Sequence, residues 1–359
     1  MPLPRVTLAL QKPQDLVTCT LPQWDELIRE ARRTNLLTRI AQDLSQLGLL
    51  ASIAPAPRAH LEASLVMALA QSEAVEREVA YLREALAGVD VDVVLLKGAA
   101  YLIAGLQAAR GRVFADIDIL VPKAKIDEVE AALNLYGWTT THHNAYDQRY
   151  YRKWMHELPP LMHNARMTVV DVHHAILPLT ARLKPDSAKL LAASRPIAGA
   201  DRLRVLCPTD MVLHSATHLF YNEDLSQGLR DLVDLDGLMR QFGEEPAFWE
   251  KLAARAVELD LARPLYYGLR YASRFLDTPV PSSVFERAEA GRPPRTLGRV
   301  MDGLYARVFR PASAGDVGPL TPMSRHLLYV RAHWLRMPPL LLMWHLGFKA
   351  FRREEETTS

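Results

Sequence analysis

Hydrophobic positions fall at helical spacing through residues 1–90: Trp24, Leu27, Ile28 and Ala31, then Leu36, Leu37, Ile40 and Leu44. The Ala54-Pro55-Ala56-Pro57 run interrupts the pattern, and residues 58–86 then predict one long helix, stopped by Gly88. Its alternating charges, among them Glu73, Arg77, Glu78 and Arg83, mark a solvated face. The period changes at residues 89–96, an apolar run of strand length. A Lys97-Gly98 turn, a helix to about residue 110 and a strand ending at Val121 follow. Residues 125–136 predict a helix with Ile126, Val129 and Leu133 on one side, and residues 138–141 are β-prone. Residues 142–165, rich in His, Tyr, Arg and Asn around Pro159-Pro160, predict loops or short hairpin strands, and residues 167–173 predict a strand. Helical spacing returns over residues 210–220, 227–242, 246–259, 262–276 and 322–348, with a proline-rich linker at 279–294.

One strand carries unexpected charge. Alternation places Asp116, Asp118 and Leu120 on one face and Ile117, Ile119 and Val121 on the other. Two neighbouring carboxylates in so apolar a strand repel, and burial penalises both ionised forms unless a cation lies between them. Neutralising the pair is therefore expected to leave stability level or raise it. The alternative, salt bridges at an exposed strand end, fits poorly with the apolar flanks. Oxygen ligands without cysteine suit Mg2+ or Mn2+, ions that work with phosphates. A third strand carboxylate, Asp171, shares a face with Val169 and His173. Lys97 and Gly98 sit where a strand runs into a helix, a place where backbone N–H groups and the helix dipole attract phosphate. Arg112, close before Asp116, is placed either to bind a triphosphate or to neutralise the carboxylates. His173 either orients substrate or is a hydrogen-bonded strand-end residue. His174 points away, and His214 and His218, though four apart, lack the acidic residue of a zinc helix and are expected to pack. Arg230 and Asp234 are spaced to pair along a helix.

Composition narrows the class. With 49% apolar and 23% charged residues the 359-residue chain has an ordinary globular composition, long enough for two or three units. Lys and Arg number 43 against 41 acidic residues, a net charge of +2 that does not point to a nucleic-acid partner. The basic and aromatic residues between Tyr146 and Trp154 argue the other way, for a short RNA end. The balance favours a small-molecule or polypeptide acceptor. Cys19 and Cys207 fit no disulfide or metal framework, which points to a cytoplasmic setting. The N-terminus lacks a signal-peptide core, and the longest apolar run, residues 338–348, is about half of a membrane span. With the basic residues after it, that run is compatible with a membrane-surface helix, a docked terminal helix being favoured.

The ordered set LLKGAAYL, Arg112, ADIDILV, VDVHHAIL and LRDLVDLDGLM resembles an uncharacterised bacterial nucleotidyltransferase family of the DNA polymerase beta-like superfamily. The resemblance covers roughly residues 91–242 and departs from the superfamily's usual Gly-Ser turn at Lys97-Gly98. It implies an α+β fold: a small mixed-sheet core (91–205) between N-terminal (1–90) and C-terminal (206–359) helical regions. It further implies that Asp116 and Asp118 hold two metal ions, that Asp171 shares one of them and helps deprotonate the acceptor, and that Arg230 reaches the phosphates of an NTP. The activity implied is transfer of a nucleoside monophosphate to an acceptor hydroxyl or phosphate with release of pyrophosphate. A scaffold that kept the fold and binds nucleotide without turnover is the alternative.

Overall fold

The computed structural model describes residues 3–140, 145–311 and 320–338. Four helices come first: α1 (Arg5–Gln11), α2 (Leu21–Arg33), α3 (Leu37–Gln46) and the long α4 (Pro55–Ala85). The central part alternates strands and helices: β1 (Val93–Leu95), α5 (Lys97–Ile103), β2 (Ile117–Leu120), α6 (Ile126–Leu135), β3 (Trp138–Thr140), α7 (Ala145–Trp154), β4 (Leu161–His163), β5 (Val169–His173), α8 (Ser187–Ala193), β6 (Arg195–Ile197) and β7 (Ala200–Val205). Helices α9 (Pro208–Tyr221), α10 (Gly228–Phe242), α11 (Pro246–Glu258), α12 (Ala262–Leu276), α13 (Ser282–Arg287), α14 (Arg295–Val308) and α15 (Leu320–Arg336) complete the order. This is the mixed α+β architecture expected from the sequence.

The strands form one seven-stranded sheet in the order β3-β4-β5-β2-β1-β7-β6. β2 runs antiparallel to β1 and parallel to β5, while β7 runs parallel to β1. Every residue of β1 and β2 is buried, which explains why they are apolar apart from Asp118 and sharpens the cost of that charge. One continuous hydrophobic cluster extends from Val6 to Leu328, so helices from both ends of the chain share a core with the sheet. Glu78 of α4 ties that helix to the β4–β5 hairpin: it accepts from Arg166 Nε at 2.8 Å and from Thr168 Oγ1 at 2.6 Å. Phe220, Tyr267, Tyr271, Tyr305 and Phe309 join α9, α12 and α14 in one aromatic cluster.

Several expectations change. The first strand covers only residues 93–95 of the apolar run at 89–96. The helix after it stops at Ile103, because Gly105 turns left-handed at φ +64°, and a short 3-10 turn at Gln107–Ala109 takes its place. Much of 142–165 is helical, as α7, rather than loop; its polarity suited a surface helix as well as a loop. The 279–294 linker contains α13 and a 3-10 turn, Pro281 serving as N-cap. Strands β6 and β7 and helix α14 were not foreseen. Among the described residues no helix is long and apolar enough to cross a membrane. The expected helix 322–348 is seen as α15, and the docking expected for residues 339–353 lies outside the described residues.

Candidate active site

At the C-terminal end of β1, an interior strand, where α5 begins, stands Lys97. Its backbone is left-handed, φ +47°, a conformation that costs a non-glycine residue about 1 kcal/mol or more. The side chain recovers part of that: Lys97 Nζ donates to Asp118 Oδ1 at 2.7 Å. Asp118, at 2% exposure, receives a second bond at the same oxygen from His173 Nε2, 2.9 Å away. The other ring nitrogen of His173, Nδ1, lies 3.0 Å from Glu157 Oε2. A carboxylate lies at each nitrogen of His173: burial alone would lower its pKa, but Glu157 and Asp118 outweigh that and raise it. Burial likewise pushes Asp118 up, yet Lys97 and His173 hold it well below the usual carboxylate range.

Asp171 lacks such compensation. It is the direct neighbour of Asp118 across the parallel β2–β5 pair, and its Oδ1 is buried with no hydrogen-bond partner. Burial first, and then the charge of Asp118, push its pKa up to about 7. Asp116 sits one residue before β2 begins and is exposed. The three carboxylates are therefore unlike one another: Asp118 is bonded to Lys97 and His173, Asp171 is half-buried with one orphaned oxygen, and Asp116 faces solvent. Carboxylate oxygens, one of them orphaned, are the donor chemistry of a hard divalent cation such as Mg2+ or Mn2+, but among the described residues the ligand atoms that converge on one point are those of His156, Glu157 and His173.

The two arginines nominated from the sequence are engaged elsewhere. Arg112 Nε donates to Asp234 Oδ2 of α10 at 2.8 Å, in a pair that is 11% and 9% exposed. Arg230 pairs with its neighbour Asp231 at 2.8 Å. The expected Arg230–Asp234 pair is thus replaced, because Asp234 faces inward toward Arg112. Arg112 also makes no ion pair with Asp116 or Asp118. Gly98 lies directly under Arg112: a Cβ there would overlap Arg112 Nη1. Gly111, at φ +63°, closes the loop against α3, whose Thr38 carbonyl lies 2.7 Å from where a Cβ would stand.

A cavity of about 210 Å3 opens on this network, lined by Lys97, Asp118, His156, Glu157, Asp171 and His173, with Thr217, His218, Tyr221 and Asn222 of the α9 end opposite. His214 is buried in α9 and kept neutral, its pKa lowered to about 3 by burial and the Lys97 charge. His174 is pulled down to about 4 by burial, then Lys123. His156 too is held well below its ordinary value by burial and then by His173 and Arg336. Ligand atoms of His156, Glu157 and His173 lie within 4.8 Å of one another. Glu157, His156 and Arg336 escaped the sequence reading. The first two sit in a stretch without period next to Pro159-Pro160, and Arg336 is remote in the chain, so no local signal marked them. A larger cavity, about 620 Å3, lies between α4 and β7 beside Val93, at the end of β1 away from Lys97, and includes none of the three aspartates.

Comparisons with curated proteins and with solved structures each found no match. The family described as uncharacterised nucleotidyltransferase matches residues 21–277, which spans α2 through α12 and every strand of the sheet. Covering well over half of the 359 residues, that match makes the chain a member of the uncharacterised nucleotidyltransferase family.

Proposed function

We propose that the protein is a Mg2+- or Mn2+-dependent enzyme that moves a nucleoside monophosphate from an NTP to an acceptor hydroxyl or phosphate, releasing pyrophosphate. The observation that carries this reading is the register of Asp118 with Asp171 across the parallel β2–β5 pair, with Asp171 Oδ1 left unpartnered. Asp116, Asp118 and Asp171 would hold the divalent ions, which when bound supply Lewis-acid stabilisation of charge on attacking and leaving oxygens. The chain's own groups do the rest. Asp171 Oδ1, titrating near neutrality, accepts the proton of the acceptor hydroxyl. Lys97 keeps Asp118 ionised and offers a point charge to phosphate at the start of α5. The Glu157–His173 pair fixes the Asp118 carboxylate in orientation. Gly98 admits Arg112, which positions α10 through Asp234; Arg230, whose partner Asp231 is adjacent, can turn toward a bound nucleotide. On this reading the site is of the DNA polymerase beta-like kind, residues 91–205 carry the chemistry, and the helices of 1–90 and 206–359 shape it. The small cavity and the net charge of +2 favour a small-molecule or polypeptide acceptor over nucleic acid. The two free cysteines accord with a cytoplasmic setting.

One observation favours a second reading. Asp118 is satisfied by Lys97 and His173 without any metal, as a nucleotide-binding scaffold without turnover would be. Purified protein incubated with Mg2+ or Mn2+, labelled NTPs and a panel of acceptors separates the two, read by pyrophosphate release and intact mass. Metal-dependent transfer that disappears in Asp171→Asn supports the enzyme. Metal-dependent NTP binding with no transfer to any acceptor class, and no hydrolysis, supports the scaffold.

A further inference from the structure

The cavity has a cation that the carboxylate network does not use. Lys97, His173, Asp118 and Glu157 close on one another, while Arg336, from the last turn of α15, lines the same cavity with no bond to any of them. Its guanidinium makes one contact among the described residues, Nη1 to Glu223 Oε2 at 3.0 Å. The Arg336 side chain is 15% exposed and Glu223, shared with His333 Nε2 at 3.3 Å, is 44% exposed, so the carboxylate side of the pair is open to solvent and to exchange. A guanidinium has five N–H donors in a rigid fork, and among the described residues only Glu223 accepts from this one.

The backbone beneath Arg336 is fixed, although the helix end would ordinarily fray. The last carbonyls of α15 are taken by a neighbouring loop: Arg182 N–H donates to Leu335 O at 2.9 Å, Arg182 Nε to Trp334 O at 3.1 Å, and Thr180 Oγ1 to Arg336 O at 2.7 Å. Bonds from Thr180 and Arg182 thus hold one arginine at the rim of a cavity whose carboxylates come from the distant strand region. Arg112 and Arg230, the arginines expected at phosphate, are paired with Asp234 and Asp231. The cavity is left bipolar, with carboxylates on the sheet side and Arg336, Asn222 and His218 on the helical side.

We propose that Arg336 binds the polyphosphate chain of the nucleotide substrate, so that α15, which lies outside the residues matched by the family, completes the nucleotide site. This rests on the nucleotidyltransferase reading. The chain's leaving end lies against Arg336 and Asn222, and the reacting phosphorus lies toward Asp118 and Asp171. Binding exchanges the exposed Glu223 carboxylate for phosphate oxygens, a bidentate partner matched to the guanidinium fork.

The test is calorimetry of the full chain with Mg2+ and three probes, ATP, inorganic tripolyphosphate and orthophosphate, on wild type, Arg336→Gln, Arg336→Lys and Glu223→Gln, with melting curves alongside. The expected result is about a tenfold or greater loss of tripolyphosphate and ATP affinity in Arg336→Gln, the weight of a charge-assisted bond, with partial recovery in Arg336→Lys. Glu223→Gln frees the guanidinium and is expected to bind as tightly as wild type or tighter. If Glu223→Gln weakens binding as much as Arg336→Gln, the Arg336–Glu223 pair is structural and the proposal is overturned. Unchanged affinity in Arg336→Gln overturns it as well, while leaving the carboxylate site standing. Equal dependence on Arg336 for orthophosphate and tripolyphosphate overturns the assignment to the nucleotide chain. A wild type that binds neither ATP nor tripolyphosphate instead overturns the reading of the site itself.

Discussion

Asp171→Asn should make the metal-free protein more stable, and the gain should depend on pH. The folded-state pKa of Asp171 is raised from 3.8 to about 7 by burial and by Asp118. A carboxyl with a raised folded pKa disfavours folding most above that pKa, and the cost shrinks as pH falls toward the unfolded value. At about 1.4 kcal/mol per pKa unit, the cost is about 4 kcal/mol at about pH 8 and about 2 kcal/mol at about pH 5.5. The introduced amide brings its own unsatisfied buried donors, worth about 1–3 kcal/mol against the variant, but that term does not change with pH. The difference between the two pH values, about 2 kcal/mol in favour of the variant at the higher one, therefore isolates the charge. Urea unfolding of both proteins in EDTA at the two pH values measures it. Excess Mg2+ should then stabilise the wild type more than the variant. An Asp171→Asn variant whose stability relative to wild type is the same at both pH values would refute the claim that Asp171 is an uncompensated carboxylate.

Asp118→Asn should act oppositely, destabilising the metal-free protein by roughly 3 kcal/mol in thermal or urea melts, since it strips Lys97 and His173 of a buried anionic partner. This reverses, for Asp118, the sign expected from repulsion alone. Asp116→Asn combined with Asp118→Asn should abolish metal-dependent NTP binding in calorimetry; equal affinity in wild type and double variant would sink the metal assignment. Arg112→Met should cost about 3–5 kcal/mol by leaving Asp234 buried and unpaired, and adding Asp234→Leu should restore most of it, a coupling that a double-mutant cycle reads directly. Gly98→Ala should displace Arg112 and weaken that same coupling, which would be absent if the guanidinium simply swings aside at no cost.

Local pattern determined much of this protein. Burial of β1 and β2 follows from their apolar residues, α4 from its length and the prolines in its first turn, and the shared face of Asp116 and Asp118 from period-two alternation. These depend on neighbours within a few residues, and so survive without tertiary information. What alternation could not state is which carboxylate would be compensated. Asp116 and Asp118 are two residues apart, yet Asp116, just before β2, is exposed, while Asp118, within it, sits at 2% exposure beneath Lys97 and His173. That inequality arises because β2 lies between β1 and β5, a register no single strand encodes. Pairing choices were also decided at long range. Arg112 meets Asp234 across 122 residues, and Asp234 is thereby lost to Arg230, the partner that helical spacing offered. Polar residues without a period, such as Glu157 and Arg336, carry no local signal, because their placement is fixed by the elements that pack around them. The sequence by itself thus determined most of the elements and which carboxylates fall in or beside the central strands. Only the tertiary structure decided how those charges are balanced, because Coulomb and desolvation energies depend on distance in space and not along the chain.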